Sequence, residues 1–190
     1  MCFKRSSMNI REIEAEAFKQ IHQNYVMTMF PRNEIRRYSG LKKLMKRGCY
    51  FVWILEKAGE LIGFAAVLRD PKQNIGILDL FAILPKHQQD GYGSYFLQRL
   101  HKEENLPNLL IECEYPTDES KQKRIDFYEK NGAQRSPYDW RSFGVKYEVL
   151  YLTKNEMSRD DKIVERITDV YALTLPPLLI RLLTHLKKRS

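Results

Sequence analysis

The chain has 190 residues, 43% of them hydrophobic and 29% charged, a balance that supports a packed core and excludes an intrinsically disordered polypeptide. That length suits one domain with a small appendage. No stretch reaches the roughly 18–20 apolar residues of a membrane span, and the basic start of the chain has no apolar run behind it, so neither a transmembrane segment nor a secretory signal is expected. The three cysteines, Cys2, Cys49 and Cys113, show neither zinc nor CxxC spacing, which fits a reducing, cytoplasmic setting.

In chain order, Ile13, Ala17, Ile21, Tyr25 and Met29 recur at helical spacing and predict a helix over 9–28. Asn9 and Glu12 would make its capping box, with a short strand over 8–13 as the alternative. Phe30-Pro31 ends the helix. A second is expected at about 34–47, stopped by Gly48. The net charge is +8, and residues 31–50 concentrate it: seven cations, Arg32, Arg36, Arg37, Lys42, Lys43, Lys46 and Arg47, face Glu34 alone, giving +6. The segment reads as a solvated helix face. No finger spacing or aromatic RNA-binding motif accompanies it, so no nucleic-acid partner is expected.

Aromatic and β-branched runs at 49–55 and 61–68, joined by Lys57-Ala-Gly-Glu60, predict a β-hairpin. A strand at 75–84, a helix at about 92–104, a strand at 107–114 and a helix at about 118–131 follow. The last has acids and a cap at its start and Asn131-Gly132 as its stop. Two more strands are expected near 133–138 and 144–152, making a mixed α/β domain about one sheet. Beyond Thr153 a helix over 158–173 places Ile163, Ile167, Val170 and Tyr171 on one face. After Pro176-Pro177, residues 178–189 read as a short basic amphipathic helix that packs on its own domain, on a partner or on a membrane surface.

Residues 88–94, Gln-Gln-Asp-Gly-Tyr-Gly-Ser, lie between the strand at 75–84 and the helix at 92–104. The first amides of a helix have no partner within it, and the helix dipole favours negative charge there, so a strand, a glycine turn and a helix start can hold a phosphate. The turn lacks the third glycine of a dinucleotide fingerprint and the Gly-Lys-Ser/Thr of a P-loop. Cys113, inside an apolar run, reads as a core thiol rather than a nucleophile.

The order of elements, with Gln88-x-x-Gly91-x-Gly93 after Phe81-Ala-Ile-Leu-Pro85 and Arg124-Ile-Asp-Phe-Tyr128-Glu-Lys-Asn-Gly132 some 35–40 residues on, resembles the GNAT superfamily of acetyl-CoA-dependent N-acetyltransferases, as in its uncharacterised bacterial members. The resemblance covers about 75–133 firmly and the preceding hairpin more loosely. It implies an α/β, GNAT-like fold: a mixed, mostly antiparallel sheet flanked by helices, over 1–154, with a C-terminal helical extension at 155–190. It implies that Gln88, Gln89, Gly91, Tyr92, Gly93 and Ser94 hold the CoA pyrophosphate. Phe81, Ala82 and Ile83 would pair with the pantetheine arm where two strands splay apart, a strand amide near Ile83 supporting the developing oxyanion. Tyr128 would donate a hydrogen bond to the leaving thiolate, and Glu112, on a strand where some members carry a catalytic glutamate, would act as general base, with Glu114, Asp79 or a water as alternatives.

Two departures stand out: Asp90 where a basic residue is common, for which Lys86 and Lys102 would compensate, and Ala133 where Phe is usual. The expected function is therefore direct transfer of an acetyl group from acetyl-CoA, as cosubstrate and without a metal, to a primary amine. The rival is a non-catalytic acyl-CoA-binding regulatory or interaction module. The expected partner is a small-molecule or peptide amine, with a homodimer as a candidate assembly. The basic segment 31–50 points to an acceptor that carries an anionic group beside its amine.

Overall fold

The structure is a computed structural model that describes residues 8–32, 34–70, 74–102, 108–153 and 161–189. The chain opens with a strand, β1 (Met8–Glu12), not with a capped helix. β1 runs antiparallel to β2 (Tyr50–Lys57), from Met8 opposite Lys57 to Glu12 opposite Trp53. Met8 and Ile10 alternate onto one sheet face, and Arg11 pairs with Glu56 at 3.0 Å, so period two outweighs the helical spacing here. The helix starts at α1 (Ala15–Ile21), passes through a π-helical turn at His22–Val26 and ends in α2 (Met27–Met29). The second helix, α3 (Tyr38–Lys46), starts about four residues later than expected.

β2 and β3 (Glu60–Arg69) form the predicted hairpin. Ala58 and Gly59 both have positive φ, 51° and 82°, as a two-residue turn matched to the twist of a hairpin requires. β4 (Ile75–Ile83), α4 (Tyr92–Lys102), β5 (Asn108–Glu114) and α5 (Glu119–Lys130) follow. The Asp118 side chain accepts from the Lys121 amide to cap α5, and Gly132, at φ 94°, ends it. β6 (Gln134–Ser142) and β7 (Val145–Leu152) complete the predicted strands.

A 3₁₀ stretch at Asp161–Arg166 then leads into α6 (Ile167–Tyr171), with α7 (Pro177–Leu183) and β8 (Thr184–Lys188) after it. The boundary at 154–155 falls outside the described residues. The basic helix expected over 178–189 stops at Leu183, and its second half is strand. β6 would otherwise present an open edge beside the buried Trp140 and Tyr138. β8 pairs with it antiparallel, half-burying Thr184 and Leu186 while His185 and Lys187 face out, an alternation that a strand satisfies and a helix does not.

The eight strands form one sheet in the order β1-β2-β3-β4-β5-β7-β6-β8, antiparallel except for β4 and β5. One face packs Phe18, Leu41 and Val164, Ile167 and Val170 of the C-terminal segment around Tyr50, Phe64 and Trp140. The other packs Phe96, Leu97 and Leu100 of α4 and Ile125 and Tyr128 of α5 over Val67, Leu109 and Ile111. No helix among the described residues is long and apolar enough to cross a membrane.

Candidate active site

β4 and β5 are hydrogen-bonded neighbours only from Ile75–Ile77 opposite Asn108–Leu110. Beyond that the two parallel strands separate, leaving Leu78–Ile83 and Ile111–Glu114 on either side of a gap. A β-bulge sits at its root: Ala66 pairs with Leu80 and Val67 with Leu78, so Asp79 has no partner across β3. The extra residue puts Asp79 and Leu80 on the same face and turns Phe81 and Ile83 towards α4 and α5.

A cleft of about 700 Å³ opens from the gap to the start of α4. Phe81, Ala82 and Ile83 line one side of it, and Gln88, Gln89, Gly91, Gly93 and Ser94 its end. Asp90 and Tyr92 are not among its lining residues. The Tyr92 hydroxyl instead accepts from Lys57 at 2.6 Å, and Lys86 pairs with Glu60, away from the role its charge implied. Gln89 and Gly91 are both left-handed, at φ 72° and 79°, and no backbone acceptor takes the amides of Gln89, Gly91, Gly93 or Ser94. The result is a concave run of open N–H groups at a helix N-terminus, chemistry that suits a phosphate. Phe127 packs close on Gly93: a Cβ there would lie 3.2 Å from its ring, tighter than ordinary packing, and 3.7 Å from Ile83. The Gln88 side chain ties the turn back to β4 by donating to the Ile83 carbonyl at 3.0 Å.

Tyr128 lines the same cleft from α5, beside Phe127 and Phe81. Burial holds its phenol well above the ordinary tyrosine range, so it stays protonated as a hydrogen-bond donor. Behind it the Cys113 thiol is pushed up to about 12 by burial. That suits a packed thiol and not a nucleophile.

Glu112 lines this cleft and a second cavity of about 390 Å³ towards β6 and β7. Its carboxylate is held by two groups far away in sequence. The Trp140 indole N–H of β6 donates to Oε1, and the Tyr171 hydroxyl of α6 lies 2.9 and 3.0 Å from Oε1 and Oε2. Ser142 Oγ is 3.4 Å from that hydroxyl. Loss of hydration raises the carboxyl to about 7, although both donors favour its ionised form. Asp79, under the bulge, accepts from Arg36 Nε at 3.1 Å and from the Tyr50 hydroxyl at 2.8 Å. Glu114 pairs with Lys121 at 2.7 Å.

Arg36 belongs to the segment whose charges read as a solvated face. It is instead drawn in to Asp79, its carbonyl accepting from His22 Nε2 at 3.0 Å. Lys42 does face solvent and pairs with Glu16. Tyr171 was legible only as one member of an apolar helix face. Its contact with Glu112 spans 59 residues, and nothing local announces it.

Residues 48–132 match the family model of the acetyltransferase (GNAT) domain. Over that part of its length the chain is similar to GNAT acetyltransferases. A GNAT-family protein from Bacteroides thetaiotaomicron superposes with a TM-score of 0.71 at 18% identity, over 88% of this chain and 99% of the other. A spermidine N-acetyltransferase from Vibrio cholerae, in complex with CoA and spermine, superposes with a TM-score of 0.58 at 17% identity, over 77% of this chain and 95% of the other. A GNAT-family protein from Desulfovibrio desulfuricans gives 0.59 at 16% identity, over 77% and 99%. At such identities the likeness is one of fold. The chain has no match among curated proteins. The match ends at Gly132, so Trp140 and Tyr171 lie outside the part of the chain that sequence similarity reaches.

Proposed function

We propose that the protein is an N-acetyltransferase that moves an acetyl group from acetyl-CoA to a primary amine by direct transfer. The observation that carries this reading is the gap between β4 and β5. It joins two cavities, with the buried Tyr128 phenol on one and the Glu112 carboxylate shared between both. The open amides of Gln89, Gly91, Gly93 and Ser94 would hold the pyrophosphate, and the residue types present fit it. The donor supplies an activated acetyl thioester; the chain's own groups hold and move protons around it.

An alkylammonium cannot attack a carbonyl until it loses a proton. Glu112, held near 7, is ionised in part at neutral pH and basic enough to take that proton. Asp79 and Glu114 are less suited, because each is already engaged by a cation at 3.1 and 2.7 Å. As the new C–N bond forms and the C–S bond breaks, the sulfur gains the electron pair. The Tyr128 hydroxyl has no acceptor among the described residues and can donate to it. A phenol this reluctant to ionise acts by hydrogen bonding more than by complete proton transfer.

Release of free thiol from acetyl-CoA across amine classes tests the proposal. Tyr128→Phe should lower kcat by about 10- to 100-fold and leave the KM for acetyl-CoA nearly unchanged. If acetyl-CoA raises thermal stability but no amine releases thiol, the chain is an acyl-CoA-binding module without catalysis.

A further inference from the structure

We infer that the second cavity selects an amine carried on an apolar or aromatic body, with no carboxylate or phosphate near the reacting nitrogen. The inference rests on the acetyl-transfer reading above and names its acceptor class. The cavity, about 390 Å³, ends at Glu112 and is walled by Ile35, Ile77, Phe143, Val145 and Tyr147. That is room for a body much larger than the amine itself, and these five side chains would pack an apolar part of it. Phe143 sits in the β6–β7 turn at φ 49°, where its amide donates to the Leu183 carbonyl at 2.8 Å, and its ring is half exposed. It is placed as a rim against which such a body would pack.

Charge points the same way. Arg36 is the one cation among the described lining residues, and it is engaged by Asp79 at 3.1 Å. The other charged groups there are Glu34, Asp79 and Glu112. An acceptor carboxylate would therefore lose its hydration beside three acids, with the one cation already held by Asp79. Arg32, Arg37, Lys42, Lys43, Lys46 and Arg47 are not among its lining residues; Lys42 binds Glu16, and Arg47 donates to the Leu173 carbonyl. The acceptor with an anionic group that composition pointed to has no receptor here.

A matched pair of acceptors tests this with the full chain and saturating acetyl-CoA, read as thiol release. 2-Phenylethylamine and phenylalanine differ by a carboxylate. The expected result is a kcat/KM at least 10-fold higher for 2-phenylethylamine. Phe143→Ala should raise the KM for 2-phenylethylamine several-fold and leave that for acetyl-CoA alone. Equal or better turnover of phenylalanine overturns the inference, as does an unchanged amine KM in Phe143→Ala. Failure of every amine while acetyl-CoA still stabilises the fold is a different outcome: it removes the acetyl-transfer reading itself, and the acceptor class with it.

Discussion

Replacing Tyr171 with Phe removes one hydroxyl and leaves the ring, its packing against Trp140 and the backbone in place. That hydroxyl lies 2.9 and 3.0 Å from the two oxygens of Glu112, and its single proton can serve only one of them at a time. A hydrogen bond to a charged group contributes about 1.5–3 kcal/mol. Taking the lower end, its loss favours the protonated acid by about one pKa unit, moving Glu112 from about 7 to about 8. If the carboxylate must be ionised to accept the amine's proton, turnover at pH 6.5 falls about eightfold and turnover at pH 9 hardly changes. The assay is kcat/KM for one amine from pH 6 to 9.5, plotted as the ratio of variant to wild type, in which the titration of the amine itself cancels. A ratio that is flat across that range refutes the assignment, whatever happens to thermal stability. It would mean that Tyr171 packs but does not set the basicity of Glu112.

The same carboxyl has a signature in folding. Its ordinary value is 4.5 and burial raises it to about 7, so between those values the folded chain holds a proton that the unfolded chain has lost. Stability should therefore fall as pH rises from about 4.5 to about 7, by about 3 kcal/mol from this group. Denaturant titrations at pH 5 and 8 should show Glu112→Gln losing that part of the decline, and an identical decline in both proteins would count against it. Removing residues 176–190 deletes β8 and with it Arg189, which holds the buried Glu148 at 2.8 Å and Asp139 at 3.0 Å. The truncated chain should melt well below the full one and become sensitive to protease near β6; unchanged melting would show that β8 contributes little to the sheet.

Much of the cleft was legible because its signals are local. Gln88 to Ser94 has left-handed backbone at Gln89 and Gly91 and a close approach of Phe127 to Gly93, and the glycines of the turn announce most of that in one short stretch. The hairpin turn at Ala58-Gly59 and the Asn131-Gly132 stop were readable for the same reason. Met8–Glu12 was harder, since its apolar residues fit either period and only the neighbouring edge of β2 decides between them.

The amino-acid order by itself determined a strand, a phosphate-type turn and a helix in the right succession. It did so because turn chemistry and short-range periodicity act over a few residues. Tertiary structure alone decided what surrounds Glu112. Its two donors come from 28 and 59 residues away, and the cation that composition assigned to the surface, Arg36, is held by a bulge at Asp79 that no local signal marks. It also decided that residues 184–188 become a strand. An open sheet edge has unpaired backbone groups to satisfy, and the weak helical preference of five residues does not outweigh them.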